Sequence, residues 1–225
     1  MKQVDFDHYV DDYNDLLREQ TSFFSIDESY FARYKVAIAR RLVANEPRRV
    51  LEFGCGIGRN IPFLREVFAG AEVMGSDPST KSIDLARAAN PGVRFWTEGK
   101  AQGDLGTFDL IFVAGVFHHV APSERRSIAE LLAARLNHSG ALIVFEHNPY
   151  NPVTRKIVSE CPYDKGVELL PPRELRRHLA NGGFRSLSQG YSLFFPPKLK
   201  VLTRLEPMLG WLPLGGQYWV CASKR

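Results

Sequence analysis

The sequence predicts an α/β fold in which a mostly parallel, doubly wound sheet carries helices on both faces. Between residues 49 and 145, apolar segments of strand length alternate with segments of helical periodicity, a pattern that is typical of βαβ units. Residues 108–113 form a nearly continuous apolar run, as a central parallel strand requires. A glycine-rich turn follows the first apolar segment, at the edge where open α/β sheets bind ligands.

The N-terminal part of the chain is predicted to form a helical cap over residues 1–45. Within it, residues 28–44 indicate an amphipathic helix, because Phe31, Tyr34, Ile38 and Leu42 recur at three- and four-residue steps.

The central part, residues 46–148, is predicted to hold five strands and three helices. The first helix begins near Asn60, and the second begins near Ser79 and ends at the breaker 90–92. The third begins at Pro122 and is closed by residues 137–140. The predicted strands are 49–53, 71–76, 93–97, 108–113 and 141–145.

The C-terminal half, residues 149–225, departs from this alternation but completes the single domain predicted for 1–225. It is predicted to contain a helix at 172–181 and strands at 184–194 and 217–223, which bring the sheet to seven strands. The segments 149–170 and 196–216 are interpreted as inserts that wall off a substrate pocket.

The glycine-rich turn predicts a site for a small polar ligand. Glycines at 54, 56 and 58 permit a sharp turn and close approach of a ligand, and a helix N-terminus follows. A dinucleotide-binding pattern would require a glycine at position 59, where the chain has Arg59. A second apolar segment ends at Asp77, an acidic residue placed to bind ribose hydroxyls.

The glycine turn, Glu52 before it, Asp77 after it and the run beginning at Phe108 together resemble the class I S-adenosylmethionine-dependent methyltransferases. The resemblance covers roughly residues 30–150. It implies S-adenosyl-L-methionine as cofactor and S-adenosyl-L-homocysteine as product. It also implies that the last strand is antiparallel and enters the sheet between the fifth and sixth strands.

The same resemblance implies roles for individual cofactor-binding residues. The glycines line the methionine end, Glu52 shapes the turn and reaches the amino group, and Asp77 binds the ribose. Relatives usually place an acidic residue for the adenine amine where Lys100 stands; lysine cannot accept a hydrogen bond, which leaves Glu98, Gln102 or a backbone group. The predicted cofactor-binding residues are Glu52, Gly54, Cys55, Gly56, Gly58, Asp77, Pro78, Lys100, Ala101, Ala114 and Tyr13.

The carboxyl ends of the fourth and fifth strands supply the candidate catalytic residues. His118, His119 and His147 are alternative general bases at neutral pH; the structural alternative is that they pack or cap the following turns. The predicted substrate-binding residues are Asn148, Tyr150 and Arg155. No metal is predicted, because the six histidines show no metal-binding spacing.

Composition narrows the partners. The 225 residues carry a net charge of +4, and residues 151–225 hold 12 Lys and Arg against 5 acidic residues, which favours an anionic acceptor or surface. Nucleic acid is not expected, since no RNA-binding motif accompanies the basic residues. Three scattered cysteines and the lack of a signal peptide or apolar span predict a cytoplasmic protein, with peripheral membrane contact left open. The oligomeric state also stays open.

These observations predict methyl transfer to a small-molecule acceptor, with O-methylation of a sugar, nucleotide-sugar or lipid-linked metabolite as the leading interpretation. Residues 148–152 are similar to a segment of bacterial methyltransferases of surface-polysaccharide or glycolipid pathways. The alternative is a non-catalytic, methyltransferase-like protein that binds the cofactor or serves as a scaffold.

Overall fold

A computed structural model describes residues 29–100, 105–161, 164 and 167–224. The strands of these residues form one seven-stranded sheet in the order β3-β2-β1-β4-β5-β7-β6. The strands are β1 (Arg49–Phe53), β2 (Glu72–Asp77), β3 (Arg94–Thr97), β4 (Phe108–Ala114), β5 (Leu136–His147), β6 (Phe184–Ser192) and β7 (Gln217–Lys224).

The sheet has the direction pattern that the family resemblance implies. β1 pairs in parallel with β2 and β4, β2 with β3, and β4 with β5. β7 lies between β5 and β6 and is antiparallel to both. The predicted insertion of an antiparallel last strand between the fifth and sixth strands is therefore confirmed.

Helices cover both faces of the sheet. In chain order they are α1 (Tyr30–Leu42), α2 (Ile61–Val67), α3 (Thr80–Ala89), α4 (Arg125–Arg135), α5 (Pro152–Glu160), α6 (Pro172–Asn181), α7 (Lys200–Thr203) and α8 (Glu206–Leu209). One buried cluster contains residues of α1, α2 and α3, represented by Val36, Leu64 and Ile83. The other contains residues of α4 and α6, represented by Leu132 and Leu179. The prediction of a doubly wound sheet is confirmed.

Two predicted boundaries are wrong around the turn from α4 to β5. The helix begins at Arg125 instead of Pro122 and ends at Arg135, and residues 136–140 belong to the strand. The strand extends back to Leu136 because that residue pairs with Phe108 across a register shift. Leu136 is fully buried there. An apolar residue at this position is compatible with a strand as well as with a helix, so the sequence did not distinguish the two.

The first C-terminal insert contains a helix that the sequence analysis did not predict. Asn151 caps α5, since its side chain accepts a hydrogen bond from the Thr154 amide, and Pro152 occupies the first turn. The segment 196–216 holds a 3-10 turn at Pro197–Leu199 followed by α7 and α8. No α-helix within the described ranges is long and apolar enough to cross a membrane.

Candidate functional site

The glycine turn after β1 has a backbone that only glycine adopts without strain. Gly54, Gly56 and Gly58 all have positive φ, at 71°, 52° and 79°. A Cβ on Gly54 would lie 2.4 Å from Val116 Cγ2, and one on Gly58 would lie 2.7 Å from Asn90 Nδ2. A Cβ on Gly56 would meet no atom of the described residues within 4 Å. Gly56 therefore faces open space at the carboxyl edge of the sheet, where a ligand can approach the backbone.

Asp77 at the end of β2 is tied to this turn. Its Oδ2 accepts a hydrogen bond from the Gly56 amide at 2.8 Å, and its Oδ1 accepts one from the Ser79 amide at 2.9 Å. Ser79 then caps α3 through the Ser82 amide. The carboxylate is thus held in one orientation at the end of β2, beside the glycine turn.

Glu52 lies beneath the turn with one carboxylate oxygen available. Asn60 Nδ2 donates to Glu52 Oε1 at 2.5 Å, whereas Oε2 is buried and accepts no hydrogen bond from the part of the chain that the structure describes. Burial raises the pKa of Glu52 to about 8, against the opposing effects of Asn60 and Lys35. A ligand ammonium beside Oε2 would favour the ionised carboxylate and provide its missing donor.

The contacts of Glu98 make it a poor candidate for binding the adenine amine. Its two oxygens accept from Arg135 at 2.6 and 2.9 Å, and Oε1 also accepts from Trp96 Nε1 at 3.1 Å. Glu98 is therefore committed to an ion pair with α4. Lys100 donates to Thr80 Oγ1 at 3.1 Å, and Gln102 lies outside the described residues, as do Ala101 and Tyr13.

Cys55 is a buried packing residue of the turn. Its amide donates to Ser76 O at 2.9 Å, and burial raises the pKa of its thiol. Pro78 follows directly on Asp77, and Ala114 ends β4 half-buried beside Gly115, whose φ is 71°. These positions agree with close approach of a ligand along the carboxyl ends of β1, β2 and β4.

The three candidate histidines converge at the carboxyl ends of β4 and β5. The ring centroid of His118 lies 4.0 Å from that of His119 and 5.3 Å from that of His147. Asp164 joins them from the segment after α5, with its Oδ1 3.2 Å from His119 Nε2 and 3.6 Å from His118 Nε2. The sequence analysis missed Asp164, because nothing local distinguishes it from a surface aspartate.

The electrostatics of the three rings differ. Burial opposes protonation of His118, but the Glu146 and Asp164 carboxylates outweigh it and raise its pKa to about 10. Burial lowers the pKa of His119 to about 3 and that of His147 to about 4, and the charge of His118 acts in the same direction. His118 is also the most enclosed ring, whereas His119 and His147 are both half-buried.

The predicted substrate-binding residues differ in their exposure and in their contacts. Asn148 is fully buried and donates to the carbonyls of Pro213 and Gly215 while accepting from the Tyr150 amide. These bonds occupy the side chain in loop structure, which argues against the predicted acceptor contact. Tyr150 is 55% exposed and Arg155 is exposed on α5.

Lys35 of α1 is a candidate functional residue that the sequence analysis overlooked. Its charge interacts with Glu52, Arg59 and Glu146, so it lies between the glycine turn and the histidine cluster. Burial lowers its pKa to about 8, partly offset by Glu52. The signal was present: Lys35 falls four residues after Phe31 and three before Ile38, on the apolar stripe of the helix.

Tyr30 and Tyr34 of α1 lie close to Glu206 in the C-terminal segment. Tyr34 donates to Glu206 Oε2, and Glu206 Oε1 accepts from the amides of Phe194 and Phe195 at 3.2 and 3.0 Å. Burial, with a contribution from Glu206, raises the pKa of Tyr30 to about 12. The buried Glu206 carboxylate thus fastens the segment after β6 to α1.

A separate depression opens at the amino ends of the strands. It is lined by residues that include Leu42, Arg48, Asp109 and Ser139. None of the predicted site residues lines it. The chemistry-bearing side chains lie at the opposite, carboxyl edge of the sheet.

The fold and the site define a class I, Rossmann-like S-adenosylmethionine-dependent methyltransferase. A family model described as a methyltransferase domain matches residues 26–189, and the chain belongs to that family. The family membership favours an enzyme over the non-catalytic alternative. The cofactor is S-adenosylmethionine, and the open space at Gly56 and the unbonded Glu52 Oε2 fit it.

Curated relatives of the chain are trans-aconitate 2-methyltransferases. That of Rhizobium etli is 30% identical over 116 residues, which are 47% of this chain and 43% of the relative. That of Rhodopseudomonas palustris is 29% identical over 153 residues, or 64% of this chain and 59% of the relative. The chain thus spans about half the length of the curated relatives it matches.

Solved structures share the fold at low sequence identity. An S-adenosylmethionine-dependent methyltransferase from Archaeoglobus fulgidus superposes with a TM-score of 0.68 at 17% identity, covering 95% of this chain and 100% of that one. A plantazolicin methyltransferase, solved with S-adenosylhomocysteine, gives 0.58 at 14% identity, covering 97% and 99%.

Proposed function

We propose that this methyltransferase transfers the methyl group to an oxygen atom of a small anionic acceptor. The observation that carries the proposal is the position of Lys35. Its ammonium lies between the cofactor turn and the histidine cluster, and within the described residues it makes no hydrogen bond or close ion pair. Lys35 is half-buried, and partial removal of a cation from water is unfavourable, so an acceptor carboxylate or phosphate beside it would be stabilised.

The lowered pKa of Lys35 still leaves it mainly protonated at pH 7. A pKa of about 8 lies above neutrality, and an anionic ligand would raise it further. The ammonium is therefore available as a charge-assisted donor. The curated relatives are named for trans-aconitate, an acceptor of this anionic class, which supports the proposal.

Methyl transfer depends more on alignment of the acceptor with the methyl group than on activation of the methyl group. S-adenosylmethionine, when bound, supplies a sulfonium methyl group that is already electrophilic. The Gly56 backbone and Asp77 hold the cofactor in place, and Ala114 and Gly115 leave room for the acceptor. Lys35 then orients the acceptor by its charge, which converts the reaction into an effectively unimolecular one.

The same charge argument limits the acceptor to three classes of anionic compound. A sugar acid, a nucleotide-sugar and a lipid-linked phosphate all carry an anion beside an oxygen nucleophile, and each remains a candidate. The exposed apolar residues Val201, Met208 and Trp211, at 76%, 73% and 75% exposure, agree with contact to a lipid-bearing acceptor. Peripheral membrane contact and a cytoplasmic location remain predictions.

Lys35→Met tests the proposal against a matched control on the same helix, Arg41→Met, whose side chain is exposed. Acceptor pools of carboxylic acids, nucleotide-sugars and lipid-linked sugars are screened by release of S-adenosylhomocysteine. With an active acceptor, Lys35→Met should raise KM by at least about tenfold, since a charge-assisted hydrogen bond contributes about 1.5–3 kcal/mol. Arg41→Met should leave KM unchanged, and Lys35→Arg should restore most of the affinity.

A second readout separates the acceptor from the cofactor, whose methionine carboxylate is also an anion. Binding of S-adenosylhomocysteine to Lys35→Met is measured by calorimetry. Unchanged affinity assigns the cation to the acceptor. Equal losses of cofactor and acceptor affinity would overturn the proposal, because Lys35 would then serve the cofactor carboxylate.

A further inference from the structure

Three side chains from three separate segments converge beside the methyl-transfer site. His118 follows β4, His147 ends β5, and Asp164 lies in the segment after α5. One imidazole nitrogen or carboxylate oxygen from each lies within 4.8 Å of the other two. His119 Nε2 is a further neighbour, 3.2 Å from Asp164 Oδ1. Imidazole and carboxylate are the ligand types that divalent transition metals take in proteins.

The Asp164 carboxylate provides a second, independent indication of a cation. Asp164 is only 6% exposed, and its Oδ1 is inaccessible to solvent and accepts no hydrogen bond. The two nearest imidazole nitrogens, Nε2 of His119 and Nε2 of His118, lie 3.2 and 3.6 Å from it. A buried carboxylate oxygen without a donor is unfavourable. A metal ion among these side chains would remove that cost.

Glu146 orients His118 as an outer carboxylate orients a metal-binding histidine. Its Oε2 lies 2.5 Å from His118 Nδ1, while its Oε1 accepts from the amides of Val116 and Phe117 at 3.0 and 2.7 Å. These two amide bonds fix the position of the Glu146 carboxylate. When Nδ1 donates its proton to Glu146, the lone pair of Nε2 points towards Asp164. Carboxylate–histidine–metal arrangements of this kind fix the tautomer and strengthen the ligand.

We propose that His118, His147 and Asp164 bind a divalent transition-metal ion, with His119 placed as a fourth ligand. The imidazole-rich set favours Zn²⁺, Co²⁺ or Ni²⁺ over Mg²⁺ or Ca²⁺, which prefer oxygen ligands. His147 is half-buried and the other two ligands are buried, so the ion would be approached from the side of His147. Binding of the ion goes beyond the proposed function and does not depend on it.

An ion at this place would also serve the acceptor. The ligands lie at the carboxyl ends of β4 and β5, next to the small residues Ala114 and Gly115. A coordination position left open by the protein would accept an oxygen of the acceptor and fix its distance from the methyl group. Metal ions act as templates in this way in other enzymes.

Sequence spacing did not reveal the cluster. His118 and His147 are 29 residues apart, and Asp164 follows after another 17. Metal-binding motifs recognised from sequence place two ligands within a few residues of each other on one helix or turn. Here the parallel pairing of β4 and β5 brings the two histidines together, and the segment after α5 adds the carboxylate.

The test uses the full chain, stripped with a chelator and titrated with Zn²⁺ by calorimetry and with Co²⁺ by visible absorption. We expect about one ion per chain and the visible bands of a low-symmetry Co²⁺ site. His147→Ala and Asp164→Asn should each weaken binding by at least about tenfold, in line with loss of one ligand. His138→Ala, which removes an exposed histidine, should bind as the wild type does.

Asp164→Asn keeps the size of the side chain, and circular dichroism verifies that each variant is folded. Absence of Zn²⁺ and Co²⁺ binding in the folded wild type would overturn the proposal. It would leave a protonated His118 bridging Glu146 and Asp164 without a metal. Binding that all three variants retain would overturn it equally, because the ion would then lie elsewhere. The proposed function is tested by a different measurement, the release of S-adenosylhomocysteine with the Lys35 variants. Failure of the metal proposal is therefore distinguished from failure of the proposed function.

Discussion

Glu146 at the end of β5 fixes His118 in the loop after β4, with 2.5 Å between Oε2 and Nδ1. The same carboxylate accepts the amides of Val116 and Phe117 through Oε1, so one side chain anchors the whole loop. On the other side of that loop, Arg125 donates to the Phe117 and Val120 carbonyls and pairs with Glu174 of α6. The loop that carries two candidate catalytic histidines is thus fastened from both neighbouring elements.

Replacement of Glu146 should destabilise the protein strongly. Glu146→Gln keeps the shape but removes the charge facing His118, and breaking a buried pair from one side costs about 3–5 kcal/mol. Urea unfolding measures the change in the free energy of unfolding. Glu130→Gln is the control, because Glu130 pairs with Arg126 at 2.9 Å on the exposed face of α4, and such pairs contribute about 0–1 kcal/mol. Equal losses in the two variants would contradict the anchoring role.

Gly56→Ala should reduce cofactor affinity beyond its effect on stability. Gly56 and Gly92 both have positive φ, at 52° and 82°, and a Cβ on either meets nothing within 4 Å. Both alanine variants should therefore lose a similar amount of stability, about 1–2 kcal/mol for an L-residue in this region. Only the Cβ at position 56 projects into the space expected for the cofactor.

Calorimetric titration with S-adenosylhomocysteine separates these two effects. The affinity of Gly56→Ala should fall by about tenfold or more, corresponding to at least about 1.4 kcal/mol, while Gly92→Ala binds like the wild type. Wild-type affinity in Gly56→Ala would show that the turn does not contact the cofactor.

Asp77→Ala should weaken binding of S-adenosylmethionine and S-adenosylhomocysteine by about 1.5–3 kcal/mol, the contribution of a charge-assisted contact. Asp77 also accepts two backbone amides, so some loss of thermal stability accompanies the change. Asp84→Ala is the control, since Asp84 is exposed on α3 and pairs only with Arg87 at 3.1 Å. If the Asp77 variant binds both ligands with wild-type affinity, the ribose assignment is wrong.

The sequence predicted those features that depend on neighbouring residues. The glycine turn at 54, 56 and 58 and the start of α3 at Ser79 are encoded locally, by conformational freedom and by a capping side chain. The strand order and the place of β7 came with the family resemblance. Asn151 and Pro152 are local signals for the start of helix α5. In the sequence analysis the surrounding segment was interpreted as an insert, and the helix was not predicted.

The features that the sequence did not predict depend on tertiary contacts. The charge of Lys35 interacts with those of Glu52 and Glu146, and the helix pattern alone does not predict these neighbours. Glu98 was an open candidate for adenine until Arg135, 37 residues later, was seen to bind both of its oxygens. Asp164 is 45 residues after His119, and only the tertiary structure brings its Oδ1 to 3.2 Å from His119 Nε2.

Asp109 lies at the amino edge of the sheet, opposite the candidate site. Its carboxylate should make the free energy of unfolding depend on pH in the acid range. Partial burial opposes its ionisation, but hydrogen bonds from Asn137 and from the Arg48 and Arg49 amides outweigh this and lower its pKa. A lowered carboxyl pKa stabilises the fold above the unfolded pKa of about 4, and the contribution disappears as pH falls through the folded pKa. Asp109→Asn should therefore be less stable than wild type at pH 7, by about 1 kcal/mol for the lost hydrogen bonding. The difference, measured by urea unfolding, should shrink as pH falls below about 4, and a difference that stays constant with pH would refute this role of the carboxylate.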